Sequence, residues 1–217
     1  VTVVGLSAGA LVVDEEIRRL DAAPTSPDKS KLTFVVIADS SRSNFNKNRY
    51  DATIGYQYRV PVESKYNVKV VTGQYDGYAD FPDRPNPTAI TNAIIGAQIV
   101  HIPSMLAPLS AVPAANITVR TNPKGGVTTS YLVPTKTLPL VTLNPKLAPQ
   151  ATALRKLIDS AYIRNDPKTI AAATTVAGSQ PSLAPAPAEV VTPVRATVPR
   201  AGAAKAAAAA RSSSSAR

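Results

Sequence analysis

The chain carries a serine in the run Gly5-Leu6-Ser7-Ala8-Gly9, an aspartate in Tyr75-Asp76-Gly77, and its single histidine at His101. A hydroxyl, a carboxylate and an imidazole can together perform nucleophilic catalysis. The imidazole takes the hydroxyl proton, and the carboxylate orients the imidazole. The G-x-S-x-G spacing is that of a nucleophile elbow, where the serine occupies a strained strand-to-helix turn. The two glycines are expected to relieve crowding between strand and helix. A helix N-terminus behind Ser7 offers free N–H groups and a partial positive charge to a developing oxyanion. The N–H of Ala8, the residue after the serine, is the first such donor.

Each residue also has a plain structural reading. Ser7 can cap a helix in an ordinary strand-to-helix turn. Asp76-Gly77 is a common turn pair, and a histidine at a helix C-terminus gains from the helix dipole when protonated. The chain order serine, acid, histidine, with each residue at a loop edge, favours the catalytic reading.

Composition narrows the chemistry. The chain has 217 residues and no cysteine, which excludes disulfides, thiolate metal sites and a cysteine nucleophile. One histidine cannot build a His-rich metal site, so any Ser-His-acid set must use His101. The net charge is +10, much of it outside the expected core, and it reads as a property of surface and tail. Tyr and Phe do not alternate with basic residues as in a single-strand binder. No specific nucleic-acid partner is therefore expected. No apolar run approaches the length of a membrane span, and no secretion signal is legible. The chain begins inside a strand without Met, and is expected to be a fragment lacking N-terminal strands.

The elements that must position these residues follow from periodicity. Val1–Val4 is β-branched and reads as a strand. Ala8–Ala23 reads as a helix with an apolar stripe of Ala10, Leu11, Val13, Ile17 and Leu20. Asp14, Glu15 and Glu16 precede Arg18 and Arg19, an order that suits the helix dipole. Leu32–Ala38 is a continuous apolar run, the mark of a central parallel strand. Residues 1–38 thus form a βαβ unit with Ser7 at the carboxyl edge of its first strand, where open α/β sheets bind ligands. Asp39–Asp51 reads as a loop over that edge, Ile54–Val62 as an extended edge segment, and Val68–Thr72 as a third strand leading into Asp76. Pro87–Ile99 reads as a helix with His101 after its end. Ile117–Thr121 and Thr128–Val133 form a hairpin around a Gly-rich turn. Pro134–Pro149 should lie extended against the domain. Gln150–Arg164 reads as a last helix with Leu154, Leu157, Ile158 and Ala161 inward.

The folded domain is set at residues 1–167 and a disordered, basic, Ala/Pro/Ser-rich tail at 168–217. The compositional break is sharpest from about Gly178. The fold class is α/β, a mostly parallel sheet flanked by helices.

These motifs resemble the PE-PPE domain of mycobacterial and related actinobacterial proteins. The resemblance rests on Gly5-Leu6-Ser7-Ala8-Gly9-Ala10, on Gln74-Tyr75-Asp76-Gly77-Tyr78-Ala79-Asp80-Phe81-Pro82, and on Val100-His101. It continues through Tyr131-Leu132-Val133-Pro134-Thr135 with Leu138-Pro139-Leu140, and through the helix ending near Tyr162. It covers roughly residues 3–166. It implies a cutinase-like serine α/β-hydrolase fold, here partial, with Ser7 as nucleophile and His101 as base. The acid is then Asp76, with Asp80 as the alternative within the same motif. It further implies an acyl-ester or lipid substrate, no cofactor, and a secreted or cell-envelope location with association at the envelope or a membrane surface.

The sequence therefore points to a serine carboxylic-ester hydrolase of esterase, lipase or cutinase type. The apolar stretch 134–147 and the helix 88–99 are expected to wall an acyl pocket. Truncation is expected to leave this chain weak or inactive. The alternatives are a non-catalytic envelope or interaction protein that keeps the fold, and a polyanion binder acting through its basic tail. The sequence does not set the oligomeric state.

Overall fold

A computed structural model describes residues 1–167 and 169. The tail expected over 168–217 falls, apart from Thr169, outside the described residues.

The centre is a five-stranded sheet in the order β1-β2-β5-β7-β6. It contains β1 (Thr2–Leu6), β2 (Thr33–Ile37), β5 (Asn67–Gly73), β6 (Ile117–Thr121) and β7 (Val127–Val133). β1, β2, β5 and β7 run parallel, and β6 closes the far edge antiparallel to β7. Two further short strands, β3 (Tyr50–Asp51) and β4 (Tyr56–Gln57), form a separate hairpin. The expected extended segment 54–62 is thus only briefly a strand. It pairs with its own neighbour and lies outside the main sheet.

α1 (Ala8–Ala22) covers one face of the sheet. Its expected stripe is the one buried: Ala10, Val13, Ile17 and Leu20 pack with Phe34, Val36, Val68 and Val70 in a single apolar cluster. The alternation along β5 then fixes what lies behind the sheet. Val68 and Val70 face α1, so Val71 and Gly73 face the other way. There Gly73 meets Val100 and Ser104. The second helical layer contains α2 (Pro87–Ile99), α3 (His101–Met105), α4 (Pro139–Leu143) and α5 (Ala151–Asp159). Tyr75, Ala89, Leu138, Val141, Ile158, Ala161 and Tyr162 form its core.

Three expectations need correction. The stretch 134–149 is not extended, because α4 and a 3-10 turn (Pro145–Gln150) occupy most of it. Pro139 and Pro145 sit in the first positions of these turns, where a missing N–H costs nothing and the fixed φ helps. The last helix stops at Asp159, and residues 163–165 form a separate 3-10 turn. Leu157, expected inward, is exposed. The acids of α1 lie mid-helix and make local pairs instead of facing the helix dipole. Glu16 meets Arg19 at 2.6 Å and Glu15 meets Arg18 at 3.6 Å, while Asp14 is buried.

Candidate active site

Ser7 stands where β1 becomes α1. Its N–H extends the sheet by donating to the Ile37 carbonyl at 2.9 Å, and its own carbonyl accepts from the Ala10 N–H at 2.9 Å to open the helix. Serving both elements forces a left-handed backbone, φ 51° and ψ −119°. A residue with a Cβ holds that conformation only where its surroundings over-determine it.

The glycines around it divide the work unequally. A Cβ at Gly5 would lie 2.3 Å from the Gly9 carbonyl oxygen and 2.7 Å from Val13 Cγ2. Strand and helix backbone touch only because Gly5 has no side chain. A Cβ at Gly9 would meet nothing within 4 Å, so the expected crowding arises at one glycine, not both. The Ala8 N–H belongs to the first residue of α1 and has no intrahelical acceptor by construction.

Asp76 lies just past the carboxyl end of β5, two strands from Ser7. The residue before it, Tyr75, has φ 67°, a second left-handed residue at the edge. The Asp76 side chain is fully buried. Its Oδ1 accepts the Tyr78 N–H at 3.0 Å, and its Oδ2 lies 2.7 Å from His101 Nδ1.

His101 opens α3 immediately after Val100, the C-cap of α2. The two helices are separate because Pro103 has no N–H to carry the ladder across the junction. Ser104 Oγ donates to the His101 carbonyl at 2.9 Å and anchors the short helix from within. The ring then bridges two strand ends, with Nε2 2.9 Å from Ser7 Oγ. An ionised carboxylate only accepts, so Asp76 fixes the proton on Nδ1 and leaves Nε2 as acceptor for the serine hydroxyl. Ser7, His101 and Asp76 therefore form one continuous chain of hydrogen bonds. Such a chain can activate a hydroxyl for attack on a carbonyl carbon.

Asp80 does not reach the ring. Its Oδ2 accepts the Tyr75 N–H at 2.7 Å and its Oδ1 accepts from Arg164 Nη1 at 2.9 Å. Of the two acids in the motif, Asp76 is the one beside the histidine. Burial pushes the Asp80 carboxyl up to about 6, against the pull of Arg164 and the Tyr75 N–H.

Two features of this edge escape sequence reasoning. The Tyr78 ring packs on His101, with centroids 4.7 Å apart, while staying about half exposed. Nothing local distinguishes that tyrosine from its neighbours. Asp39, just beyond β2, is a second buried acid at the same edge. It is committed elsewhere: Ser41 Oγ lies between it at 2.7 Å and Asp14 at 2.8 Å, within hydrogen-bond reach of both, and Arg42 bridges both carboxylates. A cleft of about 620 Å³ opens between residues 136–141 and α5, lined by Leu138, Val141, Arg155 and Lys156 among others, but none of Ser7, Asp76 or His101 lines it. Among the described residues no group of three or more His, Cys, Asp or Glu is arranged to hold a metal ion, and no helix is long and apolar enough to cross a membrane.

The diacyltrehalose acyltransferase Chp2 of Mycobacterium tuberculosis is 39% identical over 184 residues, covering 75% of this chain and 51% of that protein. The SL1278 acyltransferase Chp1 of the same organism is 38% identical over 173 residues, covering 74% of this chain and 43% of its own length. The esterase PE16, also from M. tuberculosis, is 29% identical over 180 residues, covering 76% of this chain and 34% of its own. The chain thus spans about half, or less, of the length of these relatives, whose names denote acyl transfer and ester hydrolysis. No solved structure matches. The PE-PPE domain model matches residues 1–163, a span that takes in both helical layers, the whole sheet and the three hydrogen-bonded side chains. On that match, the chain belongs to the PE-PPE domain family.

Proposed function

We propose that residues 1–167 are the nucleophile-bearing part of a serine carboxylic-ester hydrolase. The observation that carries this reading is the hydrogen-bond chain from Ser7 Oγ to His101 Nε2 at 2.9 Å, and from His101 Nδ1 to Asp76 Oδ2 at 2.7 Å.

Ser7 Oγ attacks the acyl carbonyl carbon as its proton passes to His101 Nε2. The resulting oxyanion takes the Ala8 N–H as one donor. Collapse expels the alcohol, which leaves with the proton from His101, and the acyl group stays on Ser7. A water then gives its proton to His101 and attacks the acyl carbon. Collapse breaks the bond to Ser7 Oγ, which takes the proton back from His101 Nε2, and the acid is released. Asp76 holds the imidazole in the required tautomer throughout and balances its transient positive charge. An acceptor hydroxyl in place of water would turn the same intermediate to acyl transfer. The names of two relatives favour that second outcome. An acyl-ester or lipid substrate, and a place in the cell envelope or outside the cell, belong to the same proposal.

The test is covalent labelling. A serine-directed fluorophosphonate should modify Ser7 and no other serine, because a base-assisted hydroxyl reacts where ordinary ones do not. Ser7→Ala should abolish labelling, and His101→Ala should slow it on the order of 1000-fold or more. Hydrolysis of short-chain p-nitrophenyl esters should follow the same pattern. A folded protein whose Ser7 labels neither in this chain nor within a full-length parent would favour the non-catalytic, fold-retaining alternative.

A further inference from the structure

We propose that Asp80 is a positioning residue: by accepting the Tyr75 N–H it holds the turn that aims Asp76 at His101. The role in catalysis rests on the hydrolase reading above, but the geometry stands apart from it.

Tyr75 is a bulky residue at φ 67°. An aromatic side chain adopts that backbone only under external constraint, and any relaxation would rotate the next residue, Asp76. The constraint is a closed loop of bonds. The Asp80 N–H donates to the Asp76 carbonyl at 2.6 Å and the Asp76 N–H to the Gly73 carbonyl at 3.1 Å. The Asp80 carboxylate then reaches back over the turn to the Tyr75 N–H at 2.7 Å. The same turn is thereby tied at the residue before Asp76 and at Asp76 itself, both times by Asp80.

The carboxylate is itself held from a distant part of the chain. Arg164 Nη1 donates to its other oxygen at 2.9 Å, and the guanidinium lies 3.9 Å from the centroid of the Tyr162 ring. The ring of Tyr75 is pinned from that side too, since its hydroxyl donates to Asp159 Oδ1 at 2.6 Å and accepts from Arg155 Nη1 at 3.0 Å. The segment after α5 thus reaches the triad acid through Arg164, Asp80 and Tyr75, without touching His101.

Removing Asp80 alone would strand a buried guanidinium, so the test uses two charge-free pairs. Asp80→Asn/Arg164→Met keeps an acceptor oxygen for the Tyr75 N–H, and Asp80→Ala/Arg164→Met does not. The chain has one histidine, so its ring protons are assigned without ambiguity. An imidazole N–H shared with a carboxylate resonates far downfield in proton NMR, and reports the Asp76–His101 bond directly. The Asn/Met protein should keep that resonance and the fluorophosphonate labelling rate within about threefold. The Ala/Met protein should stay folded, lose the resonance, and label on the order of 100-fold more slowly, the scale of a small misplacement of a catalytic group. Retention of the resonance in the folded Ala/Met protein overturns the proposal. So does its loss in both proteins, or a failure of either to fold. If the unsubstituted chain shows the resonance but never labels, the hydrolase reading fails while the clamp is still tested by the resonance.

Discussion

At Gly5 a methyl group would be driven to 2.3 Å from the Gly9 carbonyl oxygen and 2.7 Å from Val13 Cγ2, and the first of these is backbone that cannot move aside. Gly5→Ala is therefore expected to lower stability by roughly 1–3 kcal/mol, the range for overpacking, and to displace Ser7 from His101. At Gly9, where a methyl would meet nothing within 4 Å, Gly9→Ala should be neutral or gain up to about 1 kcal/mol from helix propensity. Thermal unfolding of the two variants, with labelling measured well below each transition, checks both. Equal losses would mean that the elbow is not built on the approach of Gly5 to the helix. In the sequence the two glycines are symmetric about Ser7. Only the packing angle of α1 on β1 tells them apart, and a spacing motif contains no angle. The same limit applies to acids. Asp39 and Asp76 both follow strands, and what separates them is which of Arg42 or His101 the fold delivers to each.

The turn carrying Asp76 is also pressed from behind by α2. A Cβ at Gly96 would sit 1.9 Å from the Tyr75 carbonyl oxygen, and one at Gly77 would sit 2.2 Å from the Ala93 carbonyl oxygen. Backbone thus meets backbone at two points, between an element that ends in the histidine junction and the loop that holds the acid. Alanine is the best helix former, and in a free helix Gly96→Ala would gain about 1 kcal/mol. Here it should instead cost roughly 1–3 kcal/mol and slow Ser7 labelling, because the displaced carbonyl belongs to the residue before Asp76. A rise in melting temperature with unchanged labelling would refute the contact. At this scale much was legible. The stripe of α1 follows from periodicity, since that helix buries one regular face. β2 and β5 follow from their apolar runs, and the β6–β7 hairpin from two β-like runs about a Gly-rich turn. α2 is placed correctly, but it buries Asn92 and exposes Ile94. The segment 134–149 was misread because its prolines look like breaks in an extended chain. They lie at the first positions of turns, where proline begins a helix as readily as it ends one. The break before His101 has the opposite cause, since Pro103 sits too far into α3 for the ladder to run through from α2.

Across the whole molecule, two buried acids make stability depend on pH in a direction opposite to that of ordinary salt-bridged carboxylates. Asp14 and Asp39 share one guanidinium, Arg42, so the cluster carries an excess negative charge unless a proton is taken up. Burial pushes Asp14 up from 3.8 to about 7, opposed by Arg42 and reinforced by Asp39. Asp80, at about 6, is raised by burial as well. In the unfolded chain both titrate near 4. Between about pH 4 and 7 the folded protein therefore holds protons that the unfolded chain has released. Stability must then fall as pH rises through this window and level off above it. Asp14→Asn supplies a permanently neutral side chain of the same shape, whose amide can donate to Asp39 as the protonated acid does. It should match the parent near pH 5, exceed it near pH 8, and remove most of the slope between them. Urea unfolding at a series of pH values from 4 to 8 measures this, with Asp80 leaving a smaller residual fall in the same direction. If the Asn variant keeps the parent's slope, the proton is not on Asp14. The cluster that joins α1 to the end of β2 would then be held by its hydrogen bonds and by Arg42 alone.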